Sequence, residues 1–94
     1  MNLMIIGSGG REHALLKKCL ESSKISRVYV TPGNAGMADE KNTECHPIAV
    51  TDTSALLDFA LDKKIDLCLV GPENSLEKAV VDIFTENNIM IFGP

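Results

Sequence analysis

The stretch Ile5-Ile6-Gly7-Ser8-Gly9-Gly10-Arg11-Glu12-His13 closes an apolar run with three glycines and continues into three side chains able to carry charge. A short continuous apolar run that passes through glycine into a helical pattern reads as a buried parallel strand feeding a crossover helix. Glycines let the backbone turn sharply at that junction. The first turn of the helix then offers amides without intrahelical acceptors and a partial positive charge. Such a corner is a seat for an anion, most often a phosphate. The spacing is Gly7-x-Gly9-x-x-Glu12, so the third position of the dinucleotide pattern GxGxxG holds Glu. A second mark is also missing, because the run Val28-Tyr29-Val30 ends in Thr31-Pro32, with no acid to bind a ribose diol. The stretch predicts a phosphate seat and disfavours NAD.

Working outward, apolar runs recur at residues 3–6, 28–30, 67–70 and 89–92. They are continuous, as expected for strands covered on both faces. Helical periodicity fills the gaps. Residues 11–22 carry Leu15, Leu16, Cys19 and Leu20 on one stripe, and residues 53–63 carry Leu56, Leu57, Ala60 and Leu61 behind a cap at Asp52 or Thr53. A third helix is predicted after a cap at Asn74, with Glu77 three residues on and Leu76, Ala79, Val80, Ile83 and Phe84 at a 3.6-residue period. Asn87-Asn88 then offers a left-handed stop. A weaker extended segment at 47–50 supplies a fifth strand after a long loop. Alternation of this kind predicts an α/β fold, an open parallel sheet with helices on both faces, in a single domain spanning residues 1–94.

Composition narrows the function classes. The 94 residues are 45% hydrophobic, with a net charge of −4 and no tryptophan. A packed core is expected, and nucleic acid is not expected as a partner, because that binding rests on clustered Lys and Arg. The longest apolar runs are four residues, too short for a bilayer, and Met1-Asn2-Leu3-Met4 lacks the basic start of a signal peptide. No membrane association is expected. Cys19, Cys45 and Cys68 are odd in number and form no CxxC, which fits reduced thiols in the cytoplasm. Cys45-His46 does not make a tetrahedral metal site by itself, and no metal is expected.

The polar residues gather after the strands. GSGG follows the first, Thr31-Pro32-Gly33-Asn34 the second, Gly71-Pro72-Glu73-Asn74 the fourth and Gly93-Pro94 the fifth. In a parallel sheet these corners share one edge, where open α/β sheets bind ligands. Arg11 suits an anion beside that seat, and Glu12 suits either the helix dipole or a ligand. His13 reads as a polar residue packed at the helix start, with a catalytic role the lesser alternative. Glu73, directly after a buried strand, is the carboxylate most suited to a ligand; serving the start of the third helix is its other role.

Together, GSGGREHAL, VYVTPGNAG and VGPENSLEKAVVDIF…NIMIFGP resemble the phosphoribosylamine–glycine ligase (glycinamide ribonucleotide synthetase) family, in order and spacing, over essentially all 94 residues. The resemblance implies its N-terminal pre-ATP-grasp domain, a Rossmann-like unit. It further implies a reaction of purine biosynthesis: ATP, with Mg2+ or Mn2+, phosphorylates the carboxylate of glycine, and the amine of 5-phosphoribosylamine attacks to give glycinamide ribonucleotide. Family members carry ATP and metal on ATP-grasp modules that follow the FGP motif, so these 94 residues are expected to hold neither and to be inactive alone. Matched residue by residue, the phosphoribosylamine side of the cleft falls to Gly9, Gly10, Arg11, Glu12, Asn34 and Glu73; no catalytic residue is implied. A dinucleotide-binding domain of an oxidoreductase and a non-catalytic interaction module are the competing classes.

Overall fold

In a computed structural model, residues 1–71 and 77–93 are described, Glu77 by its backbone alone. The elements run β1 (Asn2–Gly7), α1 (Gly10–Leu20), β2 (Arg27–Pro32), α2 (Ala35–Ala38), β3 (Thr43–Cys45), α3 (Thr53–Asp62), β4 (Leu67–Val70), α4 (Glu77–Glu86) and β5 (Met90–Phe92). All four strand pairings are parallel, in the order β3-β2-β1-β4-β5. The chain therefore winds outward from β1 to β3, returns across the sheet, and continues from β4 to β5. Its reversal point lies between β1 and β4.

Side-chain alternation along the central strands divides the core in two. Leu3, Ile5, Val28 and Val30 face Leu16 of α1 and Met37 of α2. Met4, Ile6, Tyr29, Cys68 and Val70 face Leu56 and Ala60 of α3 and Val80 and Phe84 of α4. Helices thus cover both faces, as the continuous apolar runs require. The buried stripes are narrower than the periodicity implied. Leu56 and Ala60 are buried while Leu61 is half exposed, and Leu15 stands at the margin of α1.

Asp52 is the cap of α3, its side chain accepting from the Ala55 amide at 3.1 Å. Asp52→Ala is expected to cost about 1 kcal/mol, read as a lower urea midpoint at unchanged slope. Helices α3 and α4 stop alike. Lys64 and Asn88 adopt φ values of 54° and 63°, and the Ile65 and Ile89 amides reach back to Ala60 and Phe84 carbonyls at 3.0 and 2.9 Å. The Asn88 stop agrees with the sequence. Lys64 could not be foreseen from its residue type.

The strand expected at 47–50 is corrected. The strand is Thr43–Cys45, paired with Val28–Val30. The Val28 amide reaches the Asn42 carbonyl and the His46 amide reaches the Val30 carbonyl. The Ile48 amide turns back to the His46 carbonyl at 2.8 Å instead of continuing that ladder, and Ile48 and Val50 pack against the α3/α4 core. The long loop also holds one helical turn, α2. The cap at Asn74 and the side chains of Leu76 and Glu77 lie outside what is described.

Candidate functional site

The corners after β1, β2 and β4 are joined by hydrogen bonds. The Gly33 amide donates to the Gly7 carbonyl and the Gly71 amide to the Ile6 carbonyl, both at 3.0 Å. Asn34 adds a side-chain clasp, its Nδ2 donating to the Ser8 carbonyl at 2.8 Å while its Oδ1 accepts from the Met37 amide at 2.9 Å. One side chain therefore caps α2 and ties the second corner to the first. The Thr31-Pro32 peptide in this corner is cis.

Above the joined corners, Ser8, Gly9, Gly10 and Arg11 are exposed along the rim, with Asn34 beside them. Gly10 opens α1, and a Cβ built on it would meet nothing within 4 Å. The start of α1 thus borders open space, where the free first amides and the dipole of a helix suit an anion. Glu12 lies beneath. It is only 4% exposed, and its Oε1 accepts from the Gly9 amide at 3.2 Å. Its carboxyl fills the slot between Gly7 and Gly71, where the winding reverses. A Cβ on Gly71 would lie 2.8 Å from Glu12 Cδ, and one on Gly7 2.5 Å from Glu12 Cγ. Glu12 Oε2 and Thr31 Oγ1 are buried without partners among the described residues.

Of the six residues matched to the cleft, Gly9, Gly10, Arg11 and Asn34 stand together on the rim, and Glu12 is brought under them with its carboxyl turned inward. Glu73 lies outside the described residues. Sequence reasoning missed the part of Gly7 and Gly71 in holding Glu12, and it missed Thr31. A Gly at the end of each of two adjacent strands was the available signal.

His13 is accounted for by packing and charge. Its Nε2 lies 2.7 Å from Glu40 Oε2, and Lys17 Nζ lies 3.2 Å from the same oxygen, joining α1 to the end of α2. These partners, His13 first, hold the Glu40 carboxyl below its ordinary value of 4.5. A depressed folded value means that the stabilisation is present above 4.5 and lost as pH falls through the lower folded value. Glu40→Gln is expected to lower the urea midpoint at pH 6, with the difference from the parent shrinking as pH falls below 4.5. A difference constant with pH would contradict this pairing.

His46 is likewise occupied, with Nε2 3.1 Å from Glu44 Oε1 and its ring clustered with Tyr29 and Phe59, at centroid distances of 6.1 and 4.6 Å. Among the described residues no three His, Cys, Asp or Glu side chains converge as metal donors. All three cysteines are free, and burial raises each thiol, Cys68 most strongly. Among the described residues no helix is long and apolar enough to cross a membrane.

A family model described as the phosphoribosylglycinamide synthetase N domain matches residues 1–94. The chain belongs to that family. Over its whole length it is 52% identical to phosphoribosylamine–glycine ligase of Escherichia coli K12, 52% to that of Haemophilus influenzae and 49% to that of Vibrio cholerae. It spans 22% of the length of these relatives. For a phosphoribosylglycinamide synthetase N domain, the dinucleotide alternative also fails on geometry. The third glycine of that pattern gives close helix–strand packing, and here the Glu12 side chain occupies the space.

Proposed function

We propose that this chain is the N-terminal domain of an ATP-dependent ligase that joins glycine to 5-phosphoribosylamine in purine biosynthesis, and that its joined rim holds the phosphoribosylamine. The observation that carries the reading is the gathering of the Gly7–Gly10 corner, Asn34 and Gly71 at the reversal point of the sheet, in a chain about half identical to ligases of that name. The first amides of α1, from Gly10 onward, suit the 5-phosphate at an exposed Gly9-Gly10 corner, and Arg11 adds a cation at the same place. Asn34 retains one N–H and one lone pair beyond its two bonds, enough for a ribose hydroxyl. Glu73 is proposed as a ligand of the ribose or the amine. Glycine and ATP, with Mg2+ or Mn2+, are assigned to ATP-grasp modules beyond residues 1–94. The length of the relatives supports such modules, as do Met90 and Phe92, exposed on the edge strand β5. The cytoplasm suits the three unpaired thiols.

The test is ligation by the longer protein that carries this chain. It is expected to form glycinamide ribonucleotide from phosphoribosylamine, glycine and ATP, while residues 1–94 alone form none. Absence of product from the longer protein would overturn the reading. In that protein Glu73→Gln is expected to raise KM for phosphoribosylamine about tenfold, the loss of a charged hydrogen bond. An unchanged KM would remove Glu73 from the site.

A further inference from the structure

Glu12 raises a physical difficulty for a phosphate seat. A carboxylate directly beneath the start of α1 opposes an anion bound above it and already uses part of the helix dipole. It is not reachable by a ligand, being 4% exposed with Oε2 fully covered. Yet its hydrogen bond and its close approaches to Gly7, Gly9 and Gly71 fall on the elements that build the rim. Oε1 takes the Gly9 amide, and the carboxyl group lies against Gly7 on one side and Gly71 on the other. The side chain therefore spans the gap between the first and third corners and fixes the angle at which the loop enters α1.

We infer that Glu12 is a positioning residue, whose carboxyl group locks the Gly7–Gly10 loop against Gly71 and so sets where the rim amides point, without touching the bound sugar phosphate. The inference rests on the sugar-phosphate reading of the rim. Two consequences separate it from direct ligand contact. Gln has the same length and keeps an acceptor for the Gly9 amide, so Glu12→Gln preserves the lock while removing the opposing charge. A residue that met a ligand hydroxyl or amine through its charge would lose affinity on the same change. Gly71→Ala, which alters no ligand group, disturbs the lock by forcing a methyl into the carboxyl group.

The experiment uses the complete ligase, with hydrogen exchange of segment 7–12 in the ligand-free protein, calorimetric binding of ribose 5-phosphate, and steady-state kinetics. Glu12→Gln is expected to keep parental exchange and to bind ribose 5-phosphate as tightly as the parent or more so. Glu12→Ala and Gly71→Ala are expected to speed exchange of the segment and to weaken binding, each by about tenfold, seen in KM for phosphoribosylamine far more than in kcat. The double variant Glu12→Ala/Gly71→Ala, in which the added methyl has room, is expected to be less impaired than the sum of the two single changes. Binding by Glu12→Gln that weakens as much as Glu12→Ala, with parental exchange, would overturn the inference. If Glu12→Ala does not fold, Glu12→Gln and Gly71→Ala decide the matter. A parent that binds no ribose 5-phosphate would count against the rim as a sugar-phosphate site, and the exchange rates would still judge the lock.

Discussion

Gly7→Ala is expected to destabilise the domain by about 3 kcal/mol or more, the sum of a strained backbone and an overpacked slot. Gly7 has φ 148°, a conformation L side chains rarely adopt, and an added Cβ would lie 2.5 Å from Glu12 Cγ and 2.8 Å from Glu12 Cδ. Relief would require Glu12 to leave the slot, breaking its bond to the Gly9 amide. In a chain of this size such a loss corresponds to a fall in Tm of about 12 °C or more. Thermal unfolding followed by circular dichroism measures it. A fall of about 2 °C or less would mean that the slot is loose and the packing around Glu12 unimportant.

Gly10→Leu is expected to have the opposite profile. Nothing lies within 4 Å of the position a Cβ would take, and Gly10 is not among the residues with positive φ. A side chain there meets no protein atom and lowers the freedom of the unfolded chain, so stability should hold or rise slightly. The same side chain would project into the space assigned to the phosphate. Affinity for ribose 5-phosphate is expected to fall about 100-fold, equivalent to roughly 2.7 kcal/mol. Unchanged affinity in a well-folded Gly10→Leu variant would move the ligand away from the start of α1. Paired with Gly7→Ala, it separates the two duties of neighbouring glycines, one internal to the fold and one facing outward.

How far the sequence reveals this molecule depends on whether a feature is local. The strands β1, β2 and β4 read as apolar runs because helices cover them on both faces, and β5 reads as one although Met90 and Phe92 on that edge are exposed. Strand β3, Thr-Glu-Cys, is an edge strand paired with Val28–Val30 of β2, and its residue types carry no such signal. The neighbouring Pro47-Ile48-Ala49-Val50 was more apolar and drew the assignment instead. Helix α2 is a single turn whose cap, Asn34, looks like an ordinary turn residue. The rim itself was legible, since glycine after a parallel strand falls on a known edge. The direction of Glu12 was not. An acid in the first turn of a helix reads as serving the dipole or a ligand, and only the arrival of Gly71 from a distant part of the chain creates the slot that buries it.

The rim after β1 and β2 is proposed as a sugar-phosphate seat. The most direct measurement is titration of the isotopically labelled chain with ribose 5-phosphate, following every backbone amide, with NAD as a parallel titrant. Ribose 5-phosphate is expected to move the amides of Gly9, Gly10 and Asn34 together, while NAD leaves them in place. Movement confined to other parts of the sheet, or a response of these three to NAD alone, would contradict it.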